Sequence, residues 1–337
     1  MKISIKELAK SLGLSITTVS RALDGYSDVS EKTRQRVKAA AEEMGYIPNL
    51  SARHLRKQRT DTIGYILPSE GAGFNDSFNF EFFAGLSDAT SRANYGLLVS
   101  TAGYGSSKEN SLYSSWVHGR KVDGFVLNRI RLGDKRIRYL RGEEFPFICL
   151  EQDPEDKGPF YGVKTSSENA MARLIDHLIN SGHSHIAYIG TDENLVIDQM
   201  RYGAFLAQLE IRGITPGPQL LERVPLSLES GYAAAIRLLN KSTRLSAFVC
   251  VNDMVALGAI KALEDLGLKA GRDVAVSGFD GIPESAYSNP PLTTIDQPVY
   301  EIAFNLGSML IEKLQNPAVQ GKNMIVDPTL ILRKSTG

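Results

Sequence analysis

The sequence predicts a small α-helical head of helix-turn-helix type joined to an α/β body of two doubly wound parallel-sheet lobes. Three observations predict it. Two short amphipathic helical patterns flank a glycine turn near the amino end, the charge balance reverses near residue 60, and beyond it apolar runs alternate with longer amphipathic stretches. A chain of 337 residues exceeds a single hydrophobic core, so a small domain beside a larger, divided one is the economical partition.

Residues 3–26 read ISIKELAKSLGLSITTVSRALDGY. Ser4 caps a first helix running to about Leu12, with Glu7 three residues on closing a capping box and Ile5, Leu8, Ala9 and Leu12 forming the apolar stripe. Gly13 frees the turn, Leu14 plugs the angle between the helices, and Ser15 caps the second helix. Val19, Ala22 and Leu23 then face inward, leaving Ile16, Thr17, Ser20 and Arg21 outward, a row suited to base edges and phosphates in a major groove. Ser30 and Thr33 open a third helix whose Val37, Ala40, Ala41 and Met44 close the small core before Gly45 ends it. An ordinary helical hairpin with a solvated polar face would need no charge bias. Here residues 1–60 hold 12 Lys and Arg against 6 Asp and Glu, and the remainder holds 26 against 32, so the neutral whole conceals a basic head on an acidic body. A head that neutralises phosphates needs that excess.

Next comes NLSARHLRKQRT, residues 49–60, short, basic and bounded by Pro48. A helix this short is marginal in water, so it is expected to order on DNA, where apolar groups amid arginines suit a pried-open minor groove. The alternative is a flexible linker with no direct role.

In the body, TIGYIL (62–67), GLLVST (96–101), VDGFVL (122–127), FPFICL (145–150), HIAYIG (185–190), AFVCVN (247–252) and VAVSGF (274–279) are strand-like, and GVKTSS (162–167) falls between the two groups. Seven such strands in about 220 residues suggest two sheets rather than one, with a small-molecule cleft outside their carboxyl ends. Cys149 and Cys250 lie inside apolar runs and read as inert buried thiols. The chain shows neither an eighteen-residue apolar run nor a signal-peptide core, so the expected location is cytoplasmic, with no membrane partner.

Catalysis finds no support. GxxxxGK[ST] and HExxH are missing, the fragments Gly71 to Gly73 and Gly103 to Gly105 lack the third glycine of a dinucleotide fingerprint, and no nucleophile, base and orienter stand together. His183 and His185 have no cysteine or carboxylate cluster beside them, so no metal and no cofactor are expected. A transported-solute receptor would share the body yet carry a signal peptide and no basic head. A kinase or dehydrogenase would need a phosphate-binding glycine loop.

The segments SITTVSRALDG, GYIPNLSARHLR, VNDMVALGAIKALEDLG, VSGFDG and PPLTTIDQP, in this order, resemble the lactose-repressor and galactose-repressor (LacI/GalR) family of bacterial transcription regulators over essentially the whole chain. The resemblance implies a helix-turn-helix head on a body of periplasmic-binding-protein type, and a homodimer on a pseudopalindromic operator. It also implies a non-enzymatic regulator, by family habit a repressor, whose DNA affinity follows a small effector, a sugar or sugar derivative, between the lobes. When bound to DNA such a protein is associated with the bacterial nucleoid. Expected domains are residues 1–47 for the head, 48–60 for the hinge and 61–337 for the body. Within the body the first lobe takes about 61–162 and 294–322, and the second about 163–293 and 323–334.

Carried onto this chain, the family's base-reading positions fall on Ile16, Thr17 and Arg21, and its phosphate positions on Ser15, Thr18, Ser20, Ser30 and Thr33. Arginine pairs bidentately with guanine, and isoleucine and threonine methyls meet thymine methyls. The hinge match covers Asn49, Ala52, Arg53, Leu55 and Arg56, with Leu55 as the wedge. Effector positions fall on Glu151, Arg201, Asn252 and Asp280, and Phe74, Phe78 or Phe80 could stack on a sugar ring from the first lobe. Phe82 and Phe83 are assigned to the core and Asp253 to helix capping. Glu151 stands where many relatives have Asp, and Leu226 where the lactose-type pocket has an aromatic ring, which argues against the lactose manner of binding. Dimer contacts are expected from the first lobe and the helices after Ser87 and Ser107, and no heptad tail for a tetramer is expected.

Overall fold

A computed structural model describes residues 3–46, 59–69, 77–215, 217–242, 244–318 and 323–337. The chain divides into two compact units, Met1–Thr60 and Asp61–Gly337.

The first unit holds α1 (Ile5–Leu12), α2 (Ile16–Leu23) and α3 (Glu31–Glu43). Both halves of the Ser4–Glu7 capping box form, the Ser4 N–H donating to Glu7 Oε2 at 2.7 Å and the Glu7 N–H to Ser4 Oγ at 3.3 Å. Gly13 ends α1 at φ +63°, a conformation open to glycine without strain. Ser15 and Ser30 cap α2 and α3 by accepting from the backbone of Thr18 and Thr33. Leu8, Leu12, Val19, Ala22, Val29, Val37 and Ala41 form the buried core.

The second unit contains two six-stranded sheets. The first comprises β1 (Thr62–Pro68), β2 (Gly96–Ala102), β3 (Gly124–Leu127), β4 (Phe147–Leu150), β5 (Gly162–Thr165) and β11 (Asn323–Val326), in the order β11-β5-β4-β3-β1-β2. Every one of its pairings is parallel. The second comprises β6 (Ile186–Thr191), β7 (Leu221–Val224), β8 (Ala247–Cys250), β9 (Ala275–Asp280), β10 (Thr293–Asp296) and β12 (Thr329–Ile331), in the order β12-β10-β9-β8-β6-β7, with β12 alone antiparallel.

Helices cover both faces of each sheet, which is why the central strands are apolar on both sides. In β1, Ile63, Tyr65 and Leu67 join one core with Phe82 and Leu86 of α4 (Ser77–Arg92) and Leu306 and Leu310 of α12 (Val299–Gln315). Ile66 joins the opposite core, with Tyr113 and Trp116 of α5 (Ser107–His118) and Leu140 of α6 (Lys135–Gly142). The second sheet packs between α7 (Ser167–Asn180), α8 (Val196–Ile211), α9 (Leu228–Lys241) and α10 (Asp253–Asp265). A short α11 (Glu284–Tyr287) follows β9. Cys149 and Cys250 are buried free thiols, one in each lobe. Among the described residues no helix is long and apolar enough to cross a membrane.

The chain crosses between lobes three times: after β5 into α7, after β10 into α12, and after β11 into β12. These crossings correct the lobe boundaries read from the sequence. Residues 163–165 and 323–326 pair in the first sheet, not the second, and 294–296 in the second, not the first. Each strand completes its own sheet before the chain leaves it, so the crossings fall at strand ends. Sequence reading also passed over β7, whose LERV is a polar edge strand, and β10, a four-residue TTID. Phe82 is fully buried as expected, but Phe83 is 40% exposed, so only one of the pair belongs to the core.

Gly85 of α4 lies so close to α12 that a Cβ there would overlap the Tyr300 carbonyl and press on Ala303 at 2.9 Å. Gly85→Ala should therefore destabilise the body by about 1–3 kcal/mol, the usual cost of overpacking. Chemical denaturation checks this, and a loss below about 0.5 kcal/mol would show that α4 and α12 can separate freely.

Candidate functional site

Two surfaces, one on each unit, gather the residues singled out by sequence. On the head, Ile16 is 44% exposed and Thr17 is exposed beside it. Arg21 projects half-exposed from α2, its guanidinium paired with Asp28 at 2.6 Å. Ser15 and Thr18 share a hydroxyl contact of 2.8 Å at the start of α2, and Ser30 and Thr33 share one of 2.8 Å at the start of α3. Two helix amino ends rich in hydroxyls, with free N–H groups and positive dipole ends, suit phosphate oxygens. Ser20 departs from expectation: it is buried, at 8% exposure, beside the buried Val19, and does not share the exposure of Ile16 and Thr17. The hinge positions Asn49, Ala52, Arg53, Leu55 and Arg56 lie outside the described residues, as does Phe74.

On the body, the strand ends of both sheets face one cleft. The first lobe contributes Phe78, Asn79, Arg129, Leu150, Glu151 and Thr165. Opposite them stand Ile197, Arg201, Leu226, Val251, Asn252, Asp280 and Gln297. Phe78, Glu151, Arg201, Asn252 and Asp280 are thus brought together. Phe80 is not, since it is 71% exposed on α4 and does not line the cleft. The free space in the cleft is about 40 Å³, room for a few water molecules and less than a sugar ring needs.

Arg201 carries the deepest cation of the cleft. Its side chain is 3% exposed, donating to the Val251 carbonyl at 2.5 Å and to Asp280 Oδ1 at 3.2 Å, with its guanidinium 3.6 Å from the centroid of the Phe279 ring. Sequence alone offered no partner for this arginine; the fold supplies three. Its Nε has no hydrogen-bond partner among the described residues. Asp280 also accepts from Gln297 Nε2 at 2.7 Å and holds a backbone φ of +110°. Asn252 caps α10 by accepting from the Val255 N–H at 3.0 Å, so its Nδ2 donors are the part left for a ligand.

The capping role expected of Asp253 therefore belongs to its neighbour. Asp253 is instead a buried tie, accepting from the Ile282 N–H at 2.9 Å and from Thr294 Oγ1 at 2.6 Å. Burial, reinforced by the Asp280 charge, holds its carboxyl well above the ordinary range.

Glu151 sits at φ +71° and is 1% exposed. Oε1 accepts from the Thr165 N–H at 2.8 Å and from its hydroxyl at 2.5 Å, while Oε2 is buried without a partner among the described residues. Burial raises the pKa of this carboxyl, and the Thr165 hydrogen bonds only partly offset it. Left-handed backbone at non-glycine residues costs about 1–3 kcal/mol each and persists where the surroundings enforce it. Arg129, Glu151 and Asp280, all cleft residues, share that feature.

Sequence reading missed a latch that joins the lobes beside the cleft. Glu193, after β6, accepts from Arg129 at 2.7 and 2.8 Å and from Arg131 at 3.0 Å. Arg131 also donates to the Glu193 carbonyl at 2.9 Å and stacks 3.8 Å from the Tyr104 ring centroid. Backbone bonds from Leu132 to Asn194 and from Val196 to Ile130 complete it. The basic run NRIRLGDKRIR after β3 was the available signal; its acidic partner lies more than sixty residues away.

This geometry defines a transcription regulator with a helix-turn-helix head and a receptor-like body. The head matches the family described as "Bacterial regulatory proteins, lacI family" over residues 4–49, and residues 175–336 match a "Periplasmic binding protein-like domain". The chain is 30% identical to the HTH-type transcriptional regulator RegA of Clostridium saccharobutylicum over 337 residues, covering 100% of both. It is 30% identical to the HTH-type transcriptional repressor CytR of Escherichia coli K12, covering 99% of this chain and 96% of that one. Among solved structures, the Lac repressor dimer bound to operator and the anti-inducer ONPF superposes with a TM-score of 0.82 at 26% identity, covering 100% and 99% of the two chains. The chain belongs to the lacI family of bacterial regulatory proteins, whose members act as transcription regulators and not as enzymes.

Because Glu151 has a raised pKa, the folded state holds its proton more tightly than the unfolded chain does. Its contribution to stability is full below the ordinary carboxylate range and is lost as pH rises through the elevated folded value. Glu151→Gln, neutral at every pH, should melt higher than the parent near pH ~7, with the gap closing toward pH ~4. Thermal melts across that range test it. Part of the pH slope survives through Asp253, and a constant gap at all pH values would remove charge burial as the cause.

Proposed function

We propose that the protein is a repressor that binds a pseudopalindromic operator as a homodimer, and that a small neutral polyol, a sugar or sugar derivative, in the body cleft controls its affinity. The observation carrying this reading is the convergence on one cleft of Arg201, the carboxyls of Asp280 and Glu151 and the amides of Asn252 and Gln297, beside the Phe78 ring. Such a set donates to and accepts from hydroxyls, and the ring covers a sugar's apolar face. The cations are already matched by Asp280 and Glu193, which favours a neutral ligand over a phosphorylated one. Likeness to a Lac repressor dimer on operator supports the assembly and the DNA target.

In the head, Ile16, Thr17 and Arg21 read bases while Ser15, Thr18, Ser30 and Thr33 hold phosphates. Leu55 of the hinge segment wedges the minor groove, with Asn49, Ala52, Arg53 and Arg56 beside it. Entry of a sugar into a cleft of about 40 Å³ requires the lobes to part, which strains the Glu193 latch. An effector thereby favours one lobe arrangement over another, and its differential affinity for the two sets the size of the response. The protein acts in the bacterial cytoplasm, nucleoid-associated when bound, and needs no cofactor.

A thermal-shift screen of neutral sugars, sugar phosphates and purines tests this. A sugar at about 100 times its Kd stabilises by roughly 2.7 kcal/mol, a rise of several degrees. Arg201→Ala should abolish the shift, and a sugar shift that survives unchanged in that variant removes the cleft as the site.

A further inference from the structure

We infer that Asp28 is a specificity-determining residue of the head, orienting Arg21 toward a single base while lowering the attraction of this face for DNA of any sequence. The inference rests on the reading that Arg21 contacts a base. Asp28 grips that guanidinium at two points: Nε donates to Oδ1 at 3.1 Å and the terminal NH2 nitrogen lies 2.6 Å from Oδ2. The Tyr26 ring flanks it, its centroid 4.7 Å from Cζ. An arginine held by carboxylate on one edge and ring on one face has few orientations left.

The turn that carries both partners is itself pinned. The Tyr26 N–H donates to the Arg21 carbonyl at 3.0 Å, and the Val29 N–H to the Tyr26 carbonyl at 3.3 Å. Arg34 of α3 donates to the Tyr26 and Val29 carbonyls at 3.1 and 3.2 Å and is steadied by Glu31 at 2.8 Å, while Val29 is buried in the head core. Asp28 therefore sits on a turn tied to two helices.

A guanidinium has five N–H donors, and the Asp28 fork occupies the edge formed by Nε and one terminal nitrogen. The remaining edge, formed by the two terminal nitrogens, matches the O6 and N7 acceptors of guanine. Held so, Arg21 has given up rotamer freedom before DNA arrives and cannot swing toward a nearby phosphate. The Asp28 carboxylate also repels phosphates, which weakens binding to every sequence and widens the gap to the right one. Stability does not explain the pair, since its members are 42% and 55% exposed and such ion pairs add little to a fold.

The test uses the full-length protein. Wild type, Asp28→Asn, Asp28→Glu and Arg21→Ala each select operators from a library randomised over the half-site, and each is titrated on an unrelated duplex at several salt concentrations. Asp28→Asn should relax preference at the base pair whose preference Arg21→Ala abolishes, and should bind the unrelated duplex roughly threefold or more tighter at low salt. Asp28→Glu, keeping the carboxylate, should restore much of the preference. If Asp28→Asn selects the wild-type site while Arg21→Ala loses one position, the orienting role of Asp28 is overturned and the base-reading role of Arg21 stands. If Arg21→Ala selects the wild-type site, Arg21 does not read a base and both fall. Melting curves of the variants that coincide with wild type exclude unfolding as the cause.

Discussion

Taking charge out of water costs several kcal/mol per ion unless partners replace the lost hydration. The body obeys that constraint wherever its lobes meet. Arg201 is surrounded by an acid, a carbonyl and an aromatic face; Glu193 is enclosed by two arginines from the opposite lobe. Where a buried carboxyl has no direct ion pair among the described residues, burial raises its pKa instead: Glu151 has only one oxygen hydrogen-bonded. The pKa of Asp253, tied to β10 and to the turn after β9, is raised likewise. The cleft is thus preorganised, and the strain at Arg129, Glu151 and Asp280 is tolerated because such bonds hold those residues in place.

The head is built on a different economy. The three helices of its described residues are too short to persist alone, so their stability comes from a small apolar core and from the serine caps. The same caps leave helix amino ends lined with hydroxyls, so the residues that stabilise the fold are also the ones proposed to meet phosphates. Arg21 shows the complementary case: the turn that finishes the head core also carries the acid that restrains it.

Much of this was legible in the sequence, and the reasons are local. Ser4 with Glu7, Gly13, and Ser15 with Thr18 are signals spanning a few residues, and the structure reproduces them. The central strands were equally plain, because burial on both faces forces unbroken apolar runs. Short or polar edge elements such as LERV and TTID lack that mark. Side-chain pairings over long separations were hidden: Glu193 with Arg129, Gln297 with Asp280, and Asp253 with Thr294 are each set by how two strand ends come together. Phe80 shows the limit of composition, since an aromatic residue beside a cleft-lining one can face the other way on a helix.

The three crossings also dictate how the body comes into being on the ribosome. Neither lobe is one stretch of chain, and the second is not complete until β12 pairs with β10 and Ser335 bonds the Val276 carbonyl and the Thr293 amide. The head can therefore fold early during translation, while both lobes wait for β11 and β12 before their edges are sealed. A nascent body halted shortly before that point would expose unfinished sheet edges, which makes late truncation more damaging than its length suggests.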